Sequence, residues 1–454
     1  MARNEQVDIP APGWPAADPW GDAVAAFLSD LLDHSVEVTV HTDAPDFTAN
    51  GDRFPADPQL GADGRTRQFS VSTTRGEDGG DSAARFPPEL EDLPGAALRA
   101  LARVTQLAAC GLPYPSVARA LHDVVVAEVI ADRLRRRSAG GVELDALVMT
   151  VAGTIDYFAE LAATPLEGAP VTHGIVIASD PTGVEAPAST VAYPGRLHTR
   201  KRTPLLFDGT QSALVVDMLG RALRGVERST LPLMDPEPSR LETFDELPGL
   251  DGALTAAASA AFHGVGFYLR GDPSTWIFDD GSPLFVRRGL QWKSIAFDSF
   301  TRTLAELGGT TEQIGQRIAR SALRLSMQGR GAILAIATDA AALVDVTEPR
   351  DRAPVTGYHG DSVDDDLRQL LRLHDVSSPA GLARLARLDG ATIVDTTGQV
   401  IAYGAIVRST DSQTEGARSA AARTLSTAAN VTLSVSHDGP ITVYRGGRRI
   451  LEIL

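Results

Sequence analysis

The sequence predicts an α/β protein that ends in a mixed sheet sandwiched by helices and begins with an α/β accessory region. Two observations predict this class. Apolar segments of strand length alternate with helix-forming segments, above all near the C-terminus, and the content of 43% hydrophobic and 22% charged residues is typical of globular proteins. Because 454 residues exceed the usual size of one domain, we expect three parts: residues 1–144, 145–295 and 296–454.

The first part is expected to be an accessory region that is partly loop-rich. Asp18 to Leu32 has helical periodicity and Val36 to Val40 alternates as a strand does, whereas residues 43–94 are rich in Gly, Pro and Asp and predict a long surface loop. From Pro94 to Arg137 the sequence predicts two helices, separated at Gly111-Leu112-Pro113.

The middle part has a β/α pattern that suits a sensor-like domain. We predict a helix at Glu143–Leu161, strands at His173–Ala178 and Pro204–Phe207, and a helix at Ser212–Leu223. Residues 225–252 are predicted to be a linker or lid. Short strands of an antiparallel meander then follow, at Val265–Leu269, Trp276–Phe278 and Leu284–Val286. No period of about 20–50 residues repeats, which argues against a solenoid.

The last part has the clearest alternation of helices and strands. Its predicted helices are Phe297–Leu307, Thr311–Met327, Leu367–Leu373, Gly381–Leu385 and Ala417–Ala428. Its predicted strands are Ala332–Ile336, Ala391–Val394, Val400–Val407, Val431–Val435, Ile441–Tyr444 and Arg449–Ile453. In sheets of this kind ligands bind at the loops that leave the strand ends, so the loops are where we look for chemistry.

Charge and composition exclude several classes of protein. The net charge of −16 removes the general basic field that nucleic acid or an anionic membrane attracts, so no strong nucleic-acid binding is expected. Cys110 is the only cysteine, which excludes intramolecular disulfides and zinc sites built on cysteine pairs. No signal peptide and no long apolar span is evident, so we expect a cytoplasmic protein without membrane attachment.

The first candidate motif is Asp389-Gly390-Ala391, at the entrance to a predicted buried strand. A carboxylate at this place can hold a divalent cation and accept a proton from a hydroxyl group, and the glycine lets a ligand approach the backbone. The alternative is an ordinary Asp-Gly turn without a ligand.

The second candidate motif is Gly416-Ala417-Arg418-Ser419, which opens a helix of small residues. The free N–H groups of a helix start and the donors of Arg418 favour an anion, so this motif predicts phosphate binding. The alternative is a plain helix start that carries a surface arginine.

The third candidate motif is Ser436-His437-Asp438-Gly439, between two predicted strands. Asp438, or else His437, can supply a second metal ligand. The alternative is a simple hairpin turn.

Taken in this order, the three motifs resemble the catalytic domain of the diadenylate cyclase family, the nucleotide-binding cyclase domain of DNA-integrity-scanning proteins. The resemblance covers residues 296–454 and includes Gly329-Arg330-Gly331 before the first strand. In that family an Asp-Gly-Ala motif holds the metal and activates the attacking 3′-hydroxyl group, and a Gly-Thr-Arg-His-Arg motif binds the ATP phosphates.

The first motif matches in full and the others in part. Asp389, Gly390 and Ala391 are the family's residues, so the resemblance implies that they are catalytic. In the phosphate motif Gly416 and Arg418 match, whereas Ala417, Ser419 and Ala420 replace threonine, histidine and arginine. The family's Ser-Glu-Glu turn is Ser436-His437-Asp438 here, which implies a metal held by Asp389 with Asp438 or His437.

The resemblance implies a diadenylate cyclase that condenses two ATP molecules into cyclic di-AMP with Mg²⁺ or Mn²⁺, under the control of an N-terminal sensor region. One domain supplies one ATP half-site, so a homodimer or a higher homo-oligomer is expected. The altered phosphate motif favours a second hypothesis, a catalytically weak or inactive module that binds ATP or a cyclic dinucleotide. A third hypothesis, a structural interaction protein, is suggested only by the acidic charge.

Overall fold

The architecture is described from a computed structural model of the chain. It describes residues 19–32, 35–42, 59–60, 66–74, 88–109, 114–138, 141–165, 168–179, 203–231, 252–338, 341–347, 378–408 and 416–454. The chain forms two compact units, one within residues 1–86 and 92–128, the other from residues 87–91 and 129–454. The described residues are mixed α/β, as the sequence predicts.

The first unit combines helices with a small antiparallel sheet. Its helices are α1 (Pro19–Leu32), α2 (Leu93–Ala109) and the first part of α3 (Tyr114–Arg137), and its strands are β1 (Ser35–Thr42), β2 (Gln59–Leu60) and β3 (Thr66–Thr74), in the order β1-β3-β2. The predicted loop at 43–94 therefore contains strands, because Thr66–Thr74 pairs along the full length of β1. Glu128 of α3 is buried and is paired with Arg99 and Arg103 of α2.

The second unit begins with a mixed sheet and its helices. The helices are α4 (Leu144–Ala163), α5 (Thr203–Leu206) and α6 (Ala253–Ala261). The strands are β4 (His173–Ile177), β5 (Ser212–Val216), β6 (Ala222–Glu227), β7 (Val265–Leu269), β8 (Ser274–Asp279), β9 (Ser282–Arg288) and β10 (Gln291–Ser294). Their order is β10-β9-β8-β7-β4-β5-β6, and β4 and β5 are the parallel pair.

Two predicted elements of this region are wrong. The segment predicted as the strand Pro204–Phe207 is the short helix α5, and the predicted helix Ser212–Leu223 is the hairpin of β5 and β6. Gly220 has a left-handed φ of 74°, and the Asp217 carboxylate accepts the N–H groups of the turn, so the chain reverses there. The buried run that precedes Asp217 pairs with β4 as a strand.

The second mixed sheet lies between helices. The helices are α7 (Phe297–Gly308), α8 (Glu312–Met327), α9 (Pro379–Leu385) and α10 (Ala417–Leu425), and the predicted helix Leu367–Leu373 lies outside the described residues. The strands are β11 (Ala332–Ala337), β12 (Ala391–Asp395), β13 (Val400–Ala405), β14 (Val431–Val435), β15 (Ile441–Arg445) and β16 (Arg448–Ile453), in the order β13-β12-β11-β14-β15-β16.

Helices cover both faces of this sheet. On one face Ile318 and Leu323 of α8 share a core with Leu334 and Leu433 of the strands. On the other face α10 packs through apolar residues on strand residues such as Ile333. The predicted mixed sheet sandwiched by helices is therefore confirmed.

The two sheets of the second unit share a six-stranded topology, to which the first sheet adds the edge strand β10. The path β4, β5, β6, α6, β7, β8, β9 is repeated by β11, β12, β13, α10, β14, β15, β16, with the same neighbours and the same single parallel pair. An aspartate stands at the end of both β5 and β12: Asp217 directly follows β5, and Asp395 is the last residue of β12. In each case Oδ1 of the aspartate accepts the N–H groups two and four residues later. We call residues 144–294 the first copy and residues 297–454 the second copy.

The copies share a hydrophobic core. Trp276 and Val286 of the first sheet belong to the same buried cluster as Phe300 and Leu304 of α7, so the second copy covers part of the first sheet. This repeat was not predicted from the sequence, because its copies are far longer than the periods of about 20–50 residues that are typical of repeat proteins.

Of the described helices, α4 alone is long and apolar enough to cross a membrane by length and composition. Phe158 of this helix is buried and stacks on His173 of β4, with ring centroids 5.5 Å apart. The core helix of a soluble protein passes the same test, so α4 is weak evidence for a membrane span.

Candidate functional site

The predicted motifs meet at one end of the second sheet. Because β11 and β12 are parallel, Gly331 before β11 and Gly390 before β12 lie at the same end. Strand β14 is antiparallel to β11, so Ser436, which follows β14, lies there too. We call this region, marked by Gly331, Gly390 and Ser436, the motif end.

Arg418 brings the helix motif to the motif end. A methyl group in place of a hydrogen of Gly331 would overlap the Arg418 guanidinium, so this side chain lies directly on Gly331. Gly416 is the N-cap of α10 and has no side chain to accept the first N–H groups of the helix. Free donors and a guanidinium are therefore presented together, as anion binding requires.

The backbone around Asp389 is closely packed, but its carboxylate is exposed. Gly390 has a φ of 97°, and a side chain there would lie 2.5 Å from the carbonyl carbon of Gly404, so both conformation and space require glycine. Asp389 Oδ1 accepts the Gly390 N–H at 3.1 Å. Ala391 is buried at the start of β12 and pairs with Ile333 of β11.

The third motif forms the hairpin turn that the sequence analysis gave as the alternative. Ser436 N–H donates to the carbonyl of Pro440 at 2.8 Å, and Gly439 N–H donates to that of Ser436 at 3.1 Å. His437 and Asp438 are exposed, with Nδ1 and Oδ1 3.0 Å apart.

A divalent cation would find few carboxylates here. Strand β11 lies between β12 and β14. The end of β12 next to Asp389 and the end of β14 that leads to Asp438 are therefore roughly 10 Å apart. The described residues contain no group of three or more His, Cys, Asp or Glu side chains placed for a metal. A cation at Asp389 would therefore be held by that carboxylate together with phosphate oxygens and water, which is a usual arrangement for Mg²⁺.

Two arginines that precede Asp389 in the chain, Arg384 and Arg387, lie near Arg324 of α8 and were not predicted as site residues. Burial, followed by repulsion from Arg384 and Arg387, lowers the pKa of Arg324 on α8. Arg387 donates to the side-chain carbonyl of Gln328 at 2.5 Å and stands two residues before Asp389. The spacing of Arg384 and Arg387, one helical turn apart before Asp389, was the available sequence signal.

A cavity of about 620 Å³ lies between α10 and the strands β15 and β16. Its helix wall includes Gly416, Ser419 and Arg423, and its sheet wall includes Thr442, Tyr444, Arg448, Arg449 and Glu452 of β15 and β16. Of the predicted phosphate motif, Arg418 lies on Gly331 at the motif end, and Gly416 and Ser419 also border this cavity. Ala420 is only 3% exposed, so the arginine of the resembling motif does not fit that position.

No family model, curated protein or solved structure matches the chain. The most informative comparison is therefore internal, between the two copies. The copies can be aligned at Val216 and Val394, which precede the two aspartates. The strand pairing then matches Val265 of β7 with Val431 of β14, so Tyr268 corresponds to Ser434.

In the first copy the corresponding end is filled. An Asp-Gly pair, Asp208-Gly209, also stands before β5, three residues earlier in this register than Asp389-Gly390 stands before β12, and Gly252 also caps the helix α6. The buried ring of Tyr268 lies against both glycines, since a methyl group would lie 2.5 Å from it at Gly209 and 2.6 Å at Gly252. No ligand of nucleotide size fits between these two loops.

In the first copy the carboxylate of Asp208 is already hydrogen-bonded to the backbone of its own turn. Asp208 Oδ1 accepts the N–H groups of Thr210, Gln211 and Ser212 at 2.9, 2.7 and 3.2 Å. Burial alone raises the pKa of Asp208, but these backbone hydrogen bonds outweigh it, and the pKa falls below its ordinary value. Asp208 therefore holds a turn, whereas Asp389 is exposed.

Proposed function

We propose that the second copy binds ATP at the motif end and acts as a diadenylate cyclase, which joins two ATP molecules into cyclic di-AMP. The observation that carries this proposal is the position of Arg418 on Gly331, at the sheet end where Asp389 shortly precedes β12. This juxtaposition supports a resemblance that rested on separated sequence motifs.

The chemistry suits the residues present. In each of two steps a ribose 3′-hydroxyl oxygen of one ATP forms a bond to the α-phosphorus of the other, and pyrophosphate leaves. In this proposal Asp389 accepts the hydroxyl proton, and Arg418 and the first N–H groups of α10 bind the departing phosphates. Mg²⁺ or Mn²⁺, when bound beside Asp389, neutralises charge on the reacting phosphate.

Two chains are needed for this reaction. Tyr268 fills the equivalent end of the first copy, so each chain offers one open half-site. The proposal therefore includes a homodimer or higher homo-oligomer in which two second copies face each other, in a cytoplasmic protein without membrane attachment. Control by a sensor region in residues 1–295 is part of the same proposal.

A second function is favoured by the altered phosphate motif. Ser419 and the buried Ala420 stand where the resembling family has donors, and each lost donor of this kind costs about 3 kcal/mol of transition-state stabilisation. A module that binds ATP or cyclic di-AMP, with slow or no turnover, follows from this loss.

The test is incubation of the purified chain with ATP and Mn²⁺, product separation by chromatography, and ATP calorimetry. Cyclic di-AMP formation that is lost in Asp389→Asn but retained in Glu227→Gln supports the cyclase. Glu227 is an exposed carboxylate of the first copy and serves as the matched control. ATP binding without product selects the binding module, and the absence of both rejects the nucleotide proposal in favour of a structural role.

A further inference from the structure

Two arginines of the first copy reach the motif end of the second copy. A methyl group on Gly439 would overlap the guanidinium of Arg288, and Arg288 Nη1 donates to the Leu454 carbonyl at 3.2 Å. Arg270 follows β7 as Ser436 follows β14, and its Nη2 would lie 3.8 Å from a methyl group on Gly329. The β7–β8 turn of the first copy therefore adjoins the Ser436–Gly439 turn of the second.

The donors of Arg288 are only partly used. Nε and Nη2 are buried and have no hydrogen-bond acceptor among the described residues. Buried donors without acceptors destabilise a protein, more so when they are charged. Burial lowers the pKa of Arg288, Asp272 and Asp438 oppose this effect, and Arg270 adds to it. A multivalent anion would supply the missing acceptors of Arg288, beside Arg270, whose Nη1 donates to Asp272 at 2.8 Å.

We infer that the first copy, whose own end is filled by Tyr268, contributes Arg288 and Arg270 to the motif end of the second copy as polyphosphate-binding residues. The inference rests on the proposed function for the identity of the ligand, the triphosphate of ATP. Guanidinium groups bind phosphate through two parallel donors, and they would replace the donors that Ser419 and Ala420 do not provide. Because the Gly439 turn lies against the Arg288 guanidinium, the inference requires this turn, whose His437 and Asp438 side chains are exposed, to move aside when the ligand binds.

The experiment is calorimetry of the full chain with pyrophosphate and, separately, with ATP and Mg²⁺. Arg288→Gln should weaken the binding of both by about tenfold or more, the usual effect of one charge-assisted hydrogen bond, and Arg270→Gln should act in the same direction. Arg288→Lys keeps the charge and should retain part of the affinity. Arg221→Gln removes an exposed arginine of the same copy and should change nothing.

Thermal unfolding separates ligand binding from a structural role. Without ligand, Arg288→Gln should unfold at or above the wild-type temperature, because a buried and partly unpaired charge is removed. Pyrophosphate should raise the unfolding temperature of the wild type but not that of Arg288→Gln. A large loss of stability in Arg288→Gln, with pyrophosphate still stabilising the variant, would assign Arg288 to structure and overturn the inference.

The outcomes separate this inference from the proposed function. If the wild type and Arg288→Gln bind pyrophosphate and ATP equally, the arginine site is refuted and the nucleotide proposal stands. If Arg288 is required for pyrophosphate binding but the wild type does not bind ATP, the nucleotide proposal fails and the anion site stands. If the wild type binds neither, both are rejected.

Discussion

Gly331→Ala tests the contact on which the nucleotide proposal depends. The added methyl group would overlap the guanidinium of Arg418, so one of them must move. Arg418 is an exposed, flexible side chain, and the φ of Gly331 lies outside the left-handed region, so the arginine moves and the backbone is not strained. The substitution therefore displaces Arg418 from the motif end without altering any charge.

The expected magnitudes differ for stability and for binding. The free energy of unfolding should change by less than about 1 kcal/mol, as for other alanine substitutions that the backbone tolerates. Loss of one charge-assisted hydrogen bond costs about 1.5–3 kcal/mol, so the Kd for ATP should rise about 10- to 100-fold. Arg418→Ala should have the same effect, and the double variant should bind as weakly as either single variant.

The assay is ATP calorimetry combined with urea unfolding of each variant. Gly141→Ala is the matched control, because a methyl group there meets nothing within 4 Å and the residue lies outside both copies. Wild-type affinity in Gly331→Ala, or additive losses in the double variant, would refute the placement of Arg418 in the ligand site.

Three further predictions concern the same two copies. Burial lowers the pKa of His173 to about 4 from its ordinary 6.5. Between these two pKa values the unfolded chain binds a proton at His173 that the folded chain does not bind. The free energy of unfolding should therefore fall by about 3 kcal/mol from pH 7 to pH 4. Urea titrations at several pH values check this, and a His173→Phe variant whose free energy of unfolding depends on pH as steeply as that of the wild type would contradict it. Tyr268→Ala should cost about 3–5 kcal/mol and Tyr268→Phe much less, and a loss below about 1 kcal/mol in the alanine variant would mean that Tyr268 does not fill the first copy. Ser419→His should speed cyclic di-AMP formation or tighten ATP binding, whereas Ala420→Arg should destabilise the chain in urea unfolding because Ala420 is buried; unchanged rate and affinity in a folded Ser419→His would show that the pocket relies on other donors.

The helices and strands of the second copy were predictable because the apolar periodicity of each segment matches the way it is buried in the fold. The apolar strand at Ala332–Ala337 is buried along its whole length, and helix α8 begins at Thr311, whose hydroxyl accepts the Ile314 N–H as an N-cap. Between residues 203 and 227 the apolar periodicity predicted a strand and a helix where the structure has a helix and a β-hairpin. The helix α5 has only four residues, and the β5–β6 hairpin is defined by Asp217 and Gly220, whose turn the helix prediction overlooked.

The candidate site could be predicted only in part. Asp389, Gly416 and Arg418 were identified from their motifs, and the sheet register then explains why they lie at one end. The duplication and the arginines of the first copy could not be predicted. Corresponding strand positions carry unlike residues, such as Tyr268 and Ser434, and Arg288 reaches the second copy through a tertiary contact that leaves no local pattern.

The most direct measurement of the central claim is hydrogen exchange of the full chain, followed by mass spectrometry, with and without saturating ATP and Mg²⁺. The account predicts slower exchange at residues 388–391, 416–420 and 436–439, which form the motif end, and unchanged exchange at 208–212 and 252–256, the filled end of the first copy. Protection in the first copy without protection at the motif end, or bound ATP that protects neither, would contradict it.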